Sequence, residues 1–368
     1  MLGMSQPRLV FVHDWLTGMR GGEKCLEPLC RLWPDARLYT LLHSKGQISP
    51  AIEHLRPKTS FLQNLPRVER YYRYLLPVMP MAARWHLDDC DLVLSFSHCV
   101  AKSVRPPAGV AHLCYCFTPM RYAWHMREAY FGGSRFGKLK RFATDLLLGR
   151  LRKWDRETAD RVTHYVAISE TVRRRIAECY DRDSTVIAPP VDTEFYTPAP
   201  VPREDFYLCV SAFAPYKRID LAIAACNRTK RRLVIIGAGQ DDARLRSVAG
   251  PTIEFLGWQT DEVIRDRLRR CQALLFPGEE DFGIVPVEAM ACGTPVVALG
   301  RGGAAETVHG IGTLFDEQSE EGLIAAIEQF ERTADRFDPL TARQRAQQYD
   351  KAIYVEKMQA MIMQLCKK

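Results

Sequence analysis

Short apolar runs separated by helical stretches recur along this chain, stop at a cluster of prolines and begin again. Before the prolines the runs are Leu9–His13, Asp91–Ser95, His112–Cys116 and His164–Ile168, with a helix opening at about Gly22. After them come Phe206–Ser211, Arg232–Gly237, Ile253–Leu256, Ala273–Phe276 and Pro295–Ala298. Strands that read as continuous apolar runs are buried on both faces, and helices between them make the connections crossovers. Each set therefore predicts a mostly parallel sheet covered on both sides. Pro189, Pro190, Pro198, Pro200 and Pro202 interrupt the pattern as a linker. The expectation is an α/β chain of two doubly wound, Rossmann-like domains, residues 1–190 and 203–344, with a ligand cleft between them at the carboxyl ends of the strands. A helical stretch from Thr341 to about Leu365 closes the pattern, and Tyr349, Ile353, Met358 and Ile362 fall there at the spacing of a buried stripe.

A length of 368 residues suits two domains of middling size. Hydrophobic residues make up 47% and charged residues 26%, the balance of a folded soluble protein, and no apolar run approaches the ~20 residues of a membrane span. Met1 to Arg8 lead into the first strand without a signal-peptide pattern, so a cytoplasmic location is expected. The twelve cysteines include no CxxC pair, which predicts reduced, mostly buried thiols and neither disulfides nor a metal centre.

The net charge of +7 is unevenly placed. Residues 1–200 hold 29 basic against 20 acidic side chains, and residues 101–161 alone hold 13 against 5. Within Arg135–Trp154 the charges alternate with Phe136, Leu139, Phe142, Leu146 and Leu147 at helical spacing. Such a basic amphipathic helix either lies on an anionic membrane surface or packs its apolar stripe on the core. Nucleic acid is not expected as a partner, because no binding motif accompanies the charge.

Residues 277–297 carry the densest chemistry. There an apolar strand runs into a loop with Glu280, a short helix with Glu288 and a second strand. Gly283 lets the backbone approach a ligand, and Pro286 suits a first helical position. The N–H groups of Gly283, Ile284 and Val285 would then lie at a helix N-terminus, where unpaired donors and the dipole favour a diphosphate. Two carboxylates nearby can accept hydrogen bonds from sugar hydroxyls. Either glutamate alone reads as an ordinary first-turn or loop residue; together with the anion site they describe a nucleotide sugar.

This whole string resembles the signature of retaining glycosyltransferase family 4, in which two glutamates are separated by seven residues. The resemblance implies the two-domain GT-B fold, a final helix of about 345–368 that packs back on the N-terminal domain, and a nucleotide-sugar donor used without a metal or other cofactor. It gives Glu280 the contact with the transferred sugar and Glu288 the ribose. Ser211–Ile223 resembles the family's diphosphate clamp, with Lys217 matching its lysine and Ala212 standing where its arginine belongs, so that contact is absent or comes from Arg218. Gly21 and Gly22 match its glycine-rich loop after the first strand. The strings around Tyr216 and Met120 are similar to bacterial mannosyltransferases of O-antigen and exopolysaccharide assembly. Where many members carry a sugar-touching histidine this chain has Phe117, which leaves His98 and His125 as alternatives, with Arg121 nearby on the acceptor side. His13, Asp14 and Trp15 also end a strand and are expected to line that side.

Taken together, these readings predict transfer of a hexose, mannose from GDP-mannose before other donors, to a hydroxyl of a lipid-linked glycan in surface polysaccharide assembly. The enzyme would work as a peripheral protein on the inner face of the cytoplasmic membrane. A UDP-sugar transferase shares the same motifs. An NAD-dependent oxidoreductase shares the two sheets, but Gly237-Ala-Gly239 has Asp242 in place of a third glycine. A non-catalytic nucleotide-sugar-binding protein is the third alternative.

Overall fold

The computed structural model describes residues 6–121, 123–124 and 138–367. His125 and Phe136 lie outside the described residues, as do the side chains of Leu139 and Phe142. The chain divides into two compact units, residues 1–188 with 354–368 and residues 189–353.

The first unit holds a sheet of seven parallel strands: β1 (Leu9–His13), β2 (Arg37–Thr40), β3 (Lys58–Thr59), β4 (Leu92–Ser97), β5 (Ala111–Cys116), β6 (His164–Ala167) and β7 (Ser184–Val186). Their order is β3-β2-β1-β4-β5-β6-β7. The second unit holds six: β8 (Tyr207–Val210), β9 (Leu233–Ile236), β10 (Ile253–Gly257), β11 (Leu274–Phe276), β12 (Val296–Leu299) and β13 (Thr313–Phe315), in the order β10-β9-β8-β11-β12-β13. In each sheet the winding reverses once, between β1 and β4 in the first and between β8 and β11 in the second. The strands that run as unbroken apolar segments are fully buried, which is what helices on both faces produce.

The second unit's core is built from Leu233, Ile235, Leu275, Val297 and Leu299 of the sheet. Against them pack Ile223 and Cys226 of one helix and Leu323, Ile327 and Phe330 of another. In the first unit Cys25, Leu26, Leu29 and Cys30 form the buried face of α1 (Gly21–Leu32). A long helix, α2 (Lys138–Glu157), buries Leu148 and Leu151 in a cluster with Leu62, Val68, Tyr72 and Met79. Leu146 and Leu147, the two residues of the predicted apolar stripe whose side chains are described, are exposed. Lys102 and Asp155, both buried, form an ion pair of 3.0 Å. Trp124 Nε1 and the Tyr180 hydroxyl donate to the Asp155 carboxylate at 2.8 and 2.9 Å, which satisfies a charge that burial would otherwise make costly. All twelve cysteines are free, and burial pushes the Cys209 and Cys271 thiols up to about 12.

The closing stretch departs from the expected single helix. It is two, and the bend at Gln348–Asp350 lies between them. There Val191 N–H donates to the Tyr349 carbonyl and Lys351 N–H to the Val191 carbonyl, so a strand-like bridge replaces helical bonds. Tyr354, Met358 and Ile362 are buried, whereas Tyr349 stacks edge-on against Phe282 at 5.4 Å.

Candidate active site

The point where a doubly wound sheet reverses leaves an opening at the carboxyl ends of two neighbouring strands, because the helices that follow them leave toward opposite faces. In the second unit these strands are β8 and β11. The connection after β8 passes through a short turn, Pro215–Lys217, to α3 (Ile219–Thr229), and that after β11 leads to α4 (Ile284–Ala291). Lys217 comes from the first and Glu280 from the second. Their side chains form an ion pair at 17% and 11% exposure. Lys217 also lies over the Tyr216 ring, 5.1 Å from its centre. A cation and a carboxylate 63 positions apart in sequence therefore meet at the switch point.

Arg218 does not join them. It takes a left-handed conformation at φ 52° as the residue before α3, and its guanidinium turns to Asp220 at 3.3 Å. A cation tied to its own helix's first turn is a weak substitute for the arginine missing at Ala212.

Gly283 caps α4 in the left-handed conformation, φ 86°, which a side chain would strain. The helix begins at Ile284, so Pro286 is its third residue and not its first. The position is still tolerated, since the third N–H has no intrahelical acceptor. Glu288 lies in the second turn, too far along for the dipole to explain it, and is only 6% exposed. Burial, with the charges of Glu288 and Asp261 next, holds the Tyr196 hydroxyl well above its usual range. The far end of α4 is fixed by Arg343 of α7 (Pro339–Gln347), after α5 (Gly302–Val308) and α6 (Glu320–Thr333) in chain order. Its Nη1 donates to the Ala291 carbonyl at 2.9 Å and to the Tyr196 carbonyl at 3.1 Å.

One contributor is not visible in the sequence reading. The start of α5, just after β12, pairs Gly302 with Glu280 as a parallel bridge, and Gly303 N–H donates to the Glu280 carbonyl at 2.7 Å. A Cβ at Gly303 would stand 2.1 Å from the Asp281 carbonyl oxygen, so only glycine permits this approach. Its signal was the Gly300-Arg-Gly-Gly303 string directly after a strand. The Gly237–Gly239 loop is bound to the β8 connection by Phe213 N–H donating to the Ala238 carbonyl at 3.0 Å.

At the switch point of the first unit, β1 ends in His13, Asp14 and Trp15. The Asp14 carboxylate, fully buried, accepts backbone N–H groups from His98, Cys99, Val100 and Ala101 at 2.7–2.9 Å. It therefore organises the loop after β4 instead of lining a binding surface. Asp14 also pairs with His98 Nδ1 at 3.1 Å, and the His98 ring stands edge-on to Trp15 at 4.4 Å. His13 bonds the Trp15 carbonyl through Nδ1 at 2.9 Å, and burial lowers its pKa to about 4, so the ring is neutral. Gly21 and Gly22 open α1, where Arg20 N–H donates to the Glu23 carboxylate at 3.1 Å. Arg121 is half-buried in the turn after Met120. Among the described candidates, Lys217, Glu280 and Gly283 lie at the switch point of the second unit, and Gly21, Gly22 and His98 lie in the connections that leave the switch-point strands of the first.

Residues 193–351 match the family of glycosyl transferases group 1. The match covers nearly all of the second unit. Among curated relatives, a phosphatidyl-myo-inositol mannosyltransferase of Mycobacterium leprae is 32% identical over 56% of this chain and 60% of its own. A GDP-mannose-dependent α-(1-6)-phosphatidylinositol dimannoside mannosyltransferase of Mycobacterium tuberculosis is 30% identical over 36% of this chain and 35% of its own. The chain thus spans less than two thirds of either relative. Among solved structures, Anabaena HepE in complex with UDP matches with a TM-score of 0.69 at 18% identity, over 97% of this chain and 100% of that one. The two Rossmann-like sheets and this likeness place the fold in the GT-B class.

Proposed function

We propose that the protein is a retaining hexosyltransferase that moves mannose from GDP-mannose to a hydroxyl of a lipid-linked glycan. The observation that carries this reading is the meeting of Lys217 and Glu280 at the second sheet's switch point, with Glu280 in the same connection as the Gly283 helix start. The departing nucleoside diphosphate gains charge as the bond from the anomeric carbon to phosphate oxygen breaks. Lys217 and the N–H groups of Gly283, Ile284 and Val285 stabilise that charge without a metal. The acceptor oxygen bonds to the anomeric carbon from the same face, and its proton passes to the departing phosphate oxygen. Glu280 holds the sugar, and Glu288 accepts from the ribose. Within the first unit, the reading assigns His98, kept in orientation by Asp14, to the acceptor hydroxyl or sugar, and Gly21 and Gly22 to a phosphate.

Mannose is supported by the two mannosyltransferases, which align at about 30% identity, whereas the UDP complex shares only 18%. Their names also join mannose to phosphatidylinositol, which supports a lipid-linked acceptor. The test is thermal stabilisation of the purified protein by GDP, UDP, ADP and NAD, followed by NMR of the anomeric proton in the product. Stabilisation by GDP and an α-mannoside product are expected. Stabilisation by UDP alone would replace the donor, stabilisation by NAD alone would replace the reaction class, and GDP binding without turnover under any donor would make the protein a scaffold.

A further inference from the structure

Between β3 and β4 the chain runs through short turns, Phe61–Asn64, Val68–Arg70 and Tyr72–Leu75, into a helical turn at Met79–Ala82. Leu62, Val68, Tyr72, Leu76 and Met79 are buried in one cluster with Leu148 and Leu151 of α2. Several large apolar side chains around them face outward instead. Tyr74 is 85% exposed, Met81 59%, Phe61 52% and Leu65 38%. Leu146 and Leu147, next to the inward Leu148, extend the same character onto α2. Arg67, Arg70 and Arg73 are exposed among them, and residues 56–84 hold six basic side chains against one acidic.

The segment is held in shape from within. The Tyr71 hydroxyl donates to the Pro66 carbonyl at 3.1 Å, and the Arg73 guanidinium lies over the Tyr72 ring at 4.9 Å. A soluble surface rarely gathers so many large apolar side chains on one segment without a partner to cover them. Interleaved arginines make that partner an acidic one. An anionic lipid interface meets both demands, taking apolar side chains to the depth of the headgroups while the guanidinium groups stay at the phosphates. Tyr74 suits the same boundary, with an apolar ring and a polar tip.

We propose that Phe61, Leu65, Tyr74 and Met81, with Arg67, Arg70 and Arg73, form a docking surface for an anionic bilayer. The proposal deepens the lipid-linked acceptor reading and places contact on this segment together with the outer side of α2. Flotation with phosphatidylcholine vesicles, with and without phosphatidylglycerol, tests it. Binding should require phosphatidylglycerol and weaken from about 50 mM to about 500 mM salt. Reversing Arg67, Arg70 and Arg73 to Glu should lower it by more than about tenfold. Changing Phe61, Tyr74 and Met81 to Ser should abolish it even at low salt, with GDP stabilisation and melting temperature kept. Should the triple variant melt early, Tyr74→Ser alone, at the most exposed of these sites, should still reduce binding measurably. Wild-type protein that ignores phosphatidylglycerol vesicles at low salt, or folded variants that bind as wild type, would overturn the proposal, and capture by RNA or an acidic protein instead would reassign the surface. Vesicle binding without any sugar transfer would sink the functional reading alone, and transfer to a soluble acceptor without vesicle binding would sink this one alone.

Discussion

Lys217 and Glu280 neutralise each other across the switch point of the second sheet, one after β8 and one after β11. Under the proposed function, a donor entering this point draws the ammonium toward phosphate and the carboxylate toward sugar, exchanging one ion pair for two sets of contacts. Removing Lys217 as Ala should cost ~3 kcal/mol of transition-state stabilisation, on the order of 100-fold in turnover. Steady-state kinetics within a few-fold of wild type would remove the lysine from the mechanism.

The two glutamates should separate. Glu280→Gln frees Lys217 from its partner, so GDP should bind at least as tightly as before while transfer falls by ~100-fold. Glu288→Gln should weaken GDP and donor alike, because the ribose contact proposed for Glu288 would be common to both. Calorimetric titration with GDP decides, and equal losses in the two variants would overturn the division of roles.

Gly303→Ala sets a methyl group against the Asp281 carbonyl, at 2.1 Å before relaxation. The loop after β11 must then retreat, at a cost of ~1–3 kcal/mol in stability, and Glu280 moves with it. Transfer should therefore drop far more than GDP affinity. A variant with wild-type melting and kinetics would show that the approach of the two loops is incidental.

Asp14 and His98 should behave oppositely. Asp14→Asn loses acceptor capacity for some of four backbone N–H groups and should destabilise the first unit by ~3 kcal/mol. His98→Ala leaves those bonds in place, so melting should stay near wild type while transfer falls at least about tenfold. Unchanged transfer in the folded His98 variant would restrict the ring to packing on Trp15.

A pH dependence follows from Glu23. Burial pushes its carboxyl up to about 7, even though it accepts the Arg20 N–H. The folded state holds this proton more tightly than the unfolded chain, so stability falls as pH rises from the ordinary carboxylate range through 7. The loss is on the order of 3 kcal/mol at most. Glu23→Gln should therefore be more stable than wild type at pH 8 and equal to it near pH 4.5, by denaturant unfolding. His13 and His112, lowered to about 4 by burial, destabilise both proteins alike below pH 6.5 and cancel in the comparison. A gain of equal size at both pH values would deny the proton's role.

The strands legible in sequence are those whose apolar runs face helices on both sides, such as Leu92–Ser97 and Leu233–Ile236. Lys58–Thr59, Ser184–Val186 and Thr313–Phe315 escaped because they lie at sheet edges, pair on one side only and need little apolar surface. Arg37–Thr40 is interior but opens on a polar residue. At the candidate site, Lys217, Glu280 and Glu288 stood out because the local strings that carry them resemble a family signature. The Gly303 approach did not, because its reason is a carbonyl supplied by a different loop. Asp14 looked like a lining residue for the same cause, since its four donors come from more than eighty positions away.

The chain leaves the first unit at Ala188 and re-enters it at Tyr354 with α8 (Lys351–Cys366). The buried Tyr354 hydroxyl donates to the Cys25 carbonyl at 2.8 Å, a bond between residues 329 positions apart. On the ribosome, every residue of the second unit has been made before Tyr354 appears. The second unit can therefore close its core as soon as it emerges, while the unit begun first waits with the Tyr354 site in α1 unfilled. The unit whose synthesis starts first is also the one whose last residues are made last.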